Sequence, residues 1–113
     1  MSKVNDTDLH YDAVIVGLGK TGLSCFRYLS NQGLNVAITD SREEPPELLE
    51  LKAEFESASV YLGQINEQVL LASDQIILSP GVSLDDKSIK LSIENNIPVF
   101  GDIELFCQKA QAP

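Results

Sequence analysis

Gly17, Gly19 and Gly22 form a G-x-G-x-x-G turn directly after the apolar run Ala13-Val14-Ile15-Val16. Each glycine answers a separate demand. Gly17 permits the tight turn, Gly19 lets the backbone approach a phosphate, and Gly22 lets the following helix pack close to the strand. Backbone N–H groups at a helix start lack intrahelical partners and sit at the positive end of the helix dipole, so the chemistry on offer is capture of a phosphate. Leu18, Gly19, Lys20, Thr21 and Gly22 are the candidate ligand groups there. Asp40-Ser41-Arg42 ends a second strand, where dinucleotide folds set a carboxylate against ribose hydroxyls. The alternative for Asp40 is a loop acid capping a turn. Arg42 has four options: pairing with Asp40, holding a phosphate, stacking on a base, or lying solvated. Ser79-Pro80-Gly81 follows a further strand and either faces the same ligand or is a plain turn. Gly19-Lys20-Thr21 mimics the end of a P-loop, but that motif needs a glycine where Val14 stands, which argues against a Walker-type ATP site. No carboxylate pair, Ser-His-Asp set or metal-ligand cluster stands out, so no catalytic residue and no metal ligand is assigned.

The elements that must position these groups alternate along the chain. After the first strand, Thr21 to Gln32 carries Gly22, Cys25, Phe26 and Leu29 on one helical face, and Gly33 stops it. Asn35 to Thr39 is the second strand. Pro45-Pro46 sets up a helix start, and Leu48, Leu51, Lys52 and Phe55 keep helical spacing. Val60 to Leu62 is a third strand, and Asn66 caps a brief helix through Ala72. Gln75 to Leu78 is the fourth strand. Asp85 or Asp86 starts a helix with Ile89 and Ile93 on its buried side and Asn95-Asn96 at its end. Pro98 to Phe100 is the fifth strand, and Asp102 caps a last helix from Ile103 to Ala110. Strands separated by helices predict an α/β fold: a Rossmann-like, doubly wound, five-stranded parallel sheet in the order 3-2-1-4-5, with helices on both faces. Ligands bind such sheets beyond the carboxyl ends of the strands, and the three loops named above all reach that crevice.

The 113 residues allow one domain, with residues 1–10 read as a polar leader that is no signal peptide. A net charge of −9, from 17 acidic and 8 basic residues, argues against nucleic acid and anionic membranes as partners. An anion must then be held locally, by the helix start, Lys20 or Arg42. The apolar runs fall short of the roughly 20 residues a membrane span needs. Cys25 and Cys107 are too few for a disulfide framework or a zinc site and read as reduced core residues of a cytoplasmic protein.

Val16 to Ser24, Asp40-Ser41-Arg42, Ser79-Pro80-Gly81-Val82 and Gly101-Asp102-Ile103-Glu104-Leu105-Phe106 together carry a resemblance. In order and spacing the chain resembles the N-terminal domain of the Mur ligases, of the type that uses ATP to join D-glutamate to UDP-N-acetylmuramoyl-L-alanine in peptidoglycan synthesis. That resemblance implies a uridine diphosphate in the crevice rather than a dinucleotide. Lys20 and Thr21 would then offer backbone N–H groups to the diphosphate, and Gly81 would approach from the other side. Asp40, Ser41 and Arg42 would hold uracil and ribose. ATP, magnesium and D-glutamate belong by the same resemblance to central and C-terminal domains that have no counterpart here. Residues 11–113 are therefore expected to be a monomeric, inactive substrate-binding domain without a cofactor of its own, folding alone and binding UDP weakly. The competing expectation is a stand-alone NAD-binding regulatory module or dehydrogenase half-domain, to which the glycine turn is equally suited and for which Asp40 favours NAD over NADP.

Overall fold

Ala13–Val16 (β1) is apolar at every position because both of its faces are covered, the condition of a central strand in a parallel sheet. The computed structural model describes residues 10–79, 82 and 86–101. The elements that follow β1 are α1 (Lys20–Asn31), β2 (Val36–Asp40), α2 (Leu48–Glu54), β3 (Ser59–Leu62), α3 (Glu67–Leu71), β4 (Ile76–Leu78), α4 (Lys87–Glu94) and β5 (Val99–Phe100). The strands form one five-stranded sheet in the order β3-β2-β1-β4-β5, and every pairing is parallel. This is the expected α/β, Rossmann-like architecture. Ile15 lies beside Ile38 of β2 and Ile77 of β4, so the centre of the sheet is a band of branched side chains.

Side chains alternate across the sheet and generate two cores. Ala13 and Ile15 face α1 and α2, packing with Leu23, Phe26, Leu29 and Leu51. Val14 and Val16 face α3 and α4, packing with Val69, Leu70 and Ile89. On the first face the Phe26 and Phe55 rings meet edge to face with centroids 5.1 Å apart. No described helix is long and apolar enough to cross a membrane.

The helix ends differ from the sequence expectations in instructive ways. α2 begins at Leu48 rather than at the prolines, after a turn closed by the Leu48 N–H donating to the Pro45 carbonyl. Asp86 is the cap of α4, its Oδ1 accepting from the Ser88 N–H at 2.8 Å, and Asp85 lies outside the described residues. That start phases Ile89 and Ser92 inward. Ile93 is 47% exposed instead of buried, and Ser92 fills the inner position by donating its hydroxyl to the Ser88 carbonyl. Asp40 stands at the carboxyl end of the second strand, as expected, and is the last residue of β2. Gly33 takes a left-handed φ of +85°, as its place after α1 requires. The leader through residue 9, Pro80, Gly81, Cys107 and the expected helix at 103–110 lie outside the described residues.

Gly22 decides how closely α1 meets the turn. A Cβ there would stand 2.5 Å from the Gly17 carbonyl oxygen, a backbone atom that cannot swing away. Alanine would gain about 1 kcal/mol of helix propensity. The clash outweighs this, because overpacking against fixed backbone costs up to about 3 kcal/mol. Gly22→Ala is therefore expected to destabilise the domain by about 2 kcal/mol net in urea unfolding, the reverse of an ordinary helical Gly→Ala exchange.

Candidate functional site

The carboxyl ends of the strands open into a cleft of about 480 Å³. Its walls come from Gly17, Gly19, Lys20, Thr21 and Gly22 after β1, from Asp40, Ser41 and Arg42 at the end of β2, and from Ser79 and Val82 after β4. The three loops singled out in the sequence therefore converge, as expected of ligand crevices in doubly wound sheets. Ile65, after β3, completes the lining from a loop the sequence reading had not enlisted.

At the mouth of α1, Gly19 is the N-cap residue, extended and without a side-chain cap. The first helical bond runs from the Leu23 N–H to the Gly19 carbonyl at 2.8 Å. The amides of Lys20, Thr21 and Gly22 find no acceptor among the described residues, and no acidic residue stands in the first turn to neutralise them. Beside Gly19 there is open space, with no described atom within 4 Å of where a Cβ would be. A pole of unpaired N–H groups facing a void is the arrangement that binds an anion.

Leu18 takes a different part from the one its place in the motif suggests. Its side chain is fully buried in the first core, and its N–H donates to Asp40 Oδ2 at 2.7 Å. That amide is spent within the protein. Asp40 is itself buried, with 3% of its side chain exposed, and its carboxylate accepts four hydrogen bonds. Oδ2 takes the Leu18 N–H and the Arg42 Nη2, both at 2.7 Å. Oδ1 takes the Arg42 backbone N–H at 2.8 Å and Nε at 3.0 Å. The turn-capping role and the Arg42 pairing are thus both realised. Burial works to raise the Asp40 pKa, but the guanidinium and the two amides favour the charged form and hold it below the usual carboxylate value. The same hydrogen bond pushes Arg42 upward.

On the other side, buried Ser79 donates its hydroxyl to the Gly17 carbonyl at 2.8 Å. Gly17 has φ +101°, and a Cβ would lie 2.9 Å from that of Ser79, so glycine is required by both torsion and space. The turn is held from β2 by Asp40 and from β4 by Ser79. Pro80 and Gly81, the remaining candidates, lie outside the described residues. At the opposite end of the sheet His10, Asp12 and Asp74 gather, each offering a ligand atom within 4.8 Å of the others. His10, read as part of the leader, is exposed and bonds Asp74 at 3.0 Å, and Asp12 accepts the Asn35 N–H.

Asp40→Asn keeps the shape but loses the charge and the capacity to accept all four bonds. It is expected to cost about 2 kcal/mol at pH 7, the value of hydrogen bonds to a buried charged group. Because the native pKa is lowered, the Asp40 contribution is complete above the unfolded value near 3.8 and is lost as pH falls through the native one. The gap between wild type and variant should therefore be constant from pH 7 to 5 and shrink below about 4, measured by urea unfolding at each pH.

Comparison with known proteins agrees with this geometry. Residues 11–101 match the family described as Mur ligase MurD-like, N-terminal domain. UDP-N-acetylmuramoylalanine–D-glutamate ligase of Marinobacter nauticus is 46% identical over 100 residues, which are 88% of this chain and 22% of that protein. The ligase of the same name from Nitrosococcus oceani is 42% identical over 101 residues, 89% of this chain and 22% of that protein. That of Pseudomonas aeruginosa is 38% identical over 100 residues, with 88% and 22% covered. The chain thus spans about a fifth of the length of these relatives. With a family match over residues 11–101, which takes in every strand from β1 to β5, the chain belongs to the MurD-like N-terminal domain family of the Mur ligases.

Proposed function

We propose that this domain recognises the uridine diphosphate part of UDP-N-acetylmuramoyl-L-alanine for a cytoplasmic ligase that adds D-glutamate to it at the expense of ATP. The family and the names of the relatives support this choice of substrate. The observation that carries the assignment is the set of Lys20, Thr21 and Gly22 amides, without an acceptor among the described residues, opening into a cleft whose other walls include Ser41, Arg42 and Ile65. In this reading the diphosphate sits on the α1 amides, helped by the Lys20 ammonium and the Thr21 hydroxyl. Uracil and ribose lie toward Asp40, Ser41 and Arg42. Asp40 acts chiefly by holding the other two in place, because its lone pairs are already engaged.

The ATP and magnesium of such a ligase find no fit in these residues. The cleft has one carboxylate among the described residues, and that one is committed to four donors. Val14 stands where a P-loop needs glycine, inside a strand that is buried on both sides. We assign activation of the substrate carboxylate and D-glutamate binding to the remaining four-fifths of the relatives' length, so this domain, acting as a monomer, binds without catalysing.

Backbone amide NMR with UDP, UDP-N-acetylmuramoyl-L-alanine and NAD added separately tests the assignment. UDP and the UDP-sugar are expected to shift Gly19 to Gly22 and Asp40 to Arg42, and NAD to shift them less. NAD shifts at these residues as large as those from UDP would replace the ligase reading with that of a dinucleotide module.

A further inference from the structure

Thr39 directly precedes Asp40, a residue of the cleft wall. It is the penultimate residue of β2, fully buried, and its hydroxyl leaves the strand to bond the loop that follows β3. Oγ1 donates to the Gln64 carbonyl at 3.3 Å and accepts from the Asn66 N–H at 2.9 Å. The two partners are the immediate neighbours of Ile65, which is therefore clamped on both sides by one side chain. Loop 63–66 is fastened at both ends as well. The Gly63 N–H donates to the Arg42 carbonyl at 3.2 Å, and Asn66 Oδ1 caps α3 by accepting the Val69 N–H at 3.1 Å.

This degree of fixation serves a half-buried isoleucine that rests on the second core and turns its remaining surface to the cleft. Its position along the sheet is informative. The anion pole stands over β1, and Ile65 stands over β3, two strand spacings or roughly 10 Å away. Asp40, Ser41 and Arg42 lie over the strand between them. A nucleoside diphosphate with its phosphates on the α1 amides and its ribose over the end of β2 brings its base to Ile65. Among the described residues lining the cleft, Ile65 is the apolar side chain on that side, since Val16 is buried under the turn and Val82 lies beyond β4.

We propose that Ile65 is a specificity-determining residue, an apolar wall against which the face of the nucleobase packs, and that Thr39 is the positioning residue that holds it there. The proposal rests on the nucleotide reading of the cleft and adds a contact to it. An apolar wall on one side and hydrogen-bonding groups of Ser41 and Arg42 on the other would suit a flat ring with polar edges.

The test compares UDP with inorganic pyrophosphate, which shares the anion and lacks the base, by NMR titration of the unsubstituted chain and of Ile65→Ala, Thr39→Val and Thr39→Ser. Ile65→Ala is expected to weaken UDP about tenfold, the usual effect of removing a methylene-scale contact from a pocket, and to leave pyrophosphate unchanged. Thr39→Val, which strands the Gln64 carbonyl and the Asn66 N–H, should weaken UDP similarly, and Thr39→Ser should restore it. Equal losses for both ligands in Ile65→Ala, or an unaltered UDP affinity, would overturn the base contact while the nucleotide site survived. In the unsubstituted chain, UDP binding no tighter than pyrophosphate would do the same. No shift at Gly19 to Gly22 with UDP would remove the nucleotide site and this contact together.

Discussion

A carboxylate buried at the end of β2 governs the geometry of the whole mouth of the sheet. Leaving an ionised Asp40 in the interior would cost several kcal/mol if it were unpaired, and only a full set of donors offsets that. The donors come from two directions. The Leu18 N–H belongs to the turn after β1, and the backbone and guanidinium of Arg42 belong to the loop after β2. Satisfying one charge therefore ties two loops together. The Leu18 side chain is drawn into the core, and Gly19 is left to start α1 over open space.

The same bond redistributes charge in a strongly acidic chain. Arg42 is the partner of Asp40, so the pair adds little net field to the cleft. The positive character that remains comes from the first turn of α1 and from Lys20. Helix-end amides are effective here because their partial charges are fixed in direction and need no reorganisation to meet an anion. A negative total charge and a site for a phosphate are therefore compatible, since a field of a few ångströms' reach is decided by nearby groups.

Fit and hydrogen bonding supply the rest of the rigidity. Gly22 abuts the Gly17 carbonyl, which also accepts from Ser79, so α1, the turn and the end of β4 share one oxygen. Thr39 extends the pattern to β3. Each strand end next to β2 or β1 is thus stitched to its neighbour by a side chain buried at the carboxyl edge, on the side where ligands of parallel α/β sheets are bound.

Much of this was legible before the chain was folded. The order of strands and helices, the central place of β1, the inward face of α1 and the convergence of three loops all follow from local signals: apolar runs, helical spacing, and glycines where the backbone must turn or come close. The family resemblance rested on the same residues and on segments partly beyond the described ones. The sequence could not say that the Leu18 amide is consumed by Asp40, that all four acceptor positions of Asp40 are taken, or that Thr39 clamps the loop bearing Ile65. Nor did it show that Ser92 rather than Ile93 turns inward. Those outcomes join residues that are remote along the chain or depend on the phase in which a helix starts against its neighbours. Periodicity and propensity report what a segment does within itself, and only the packed sheet decides which buried donor reaches which acceptor.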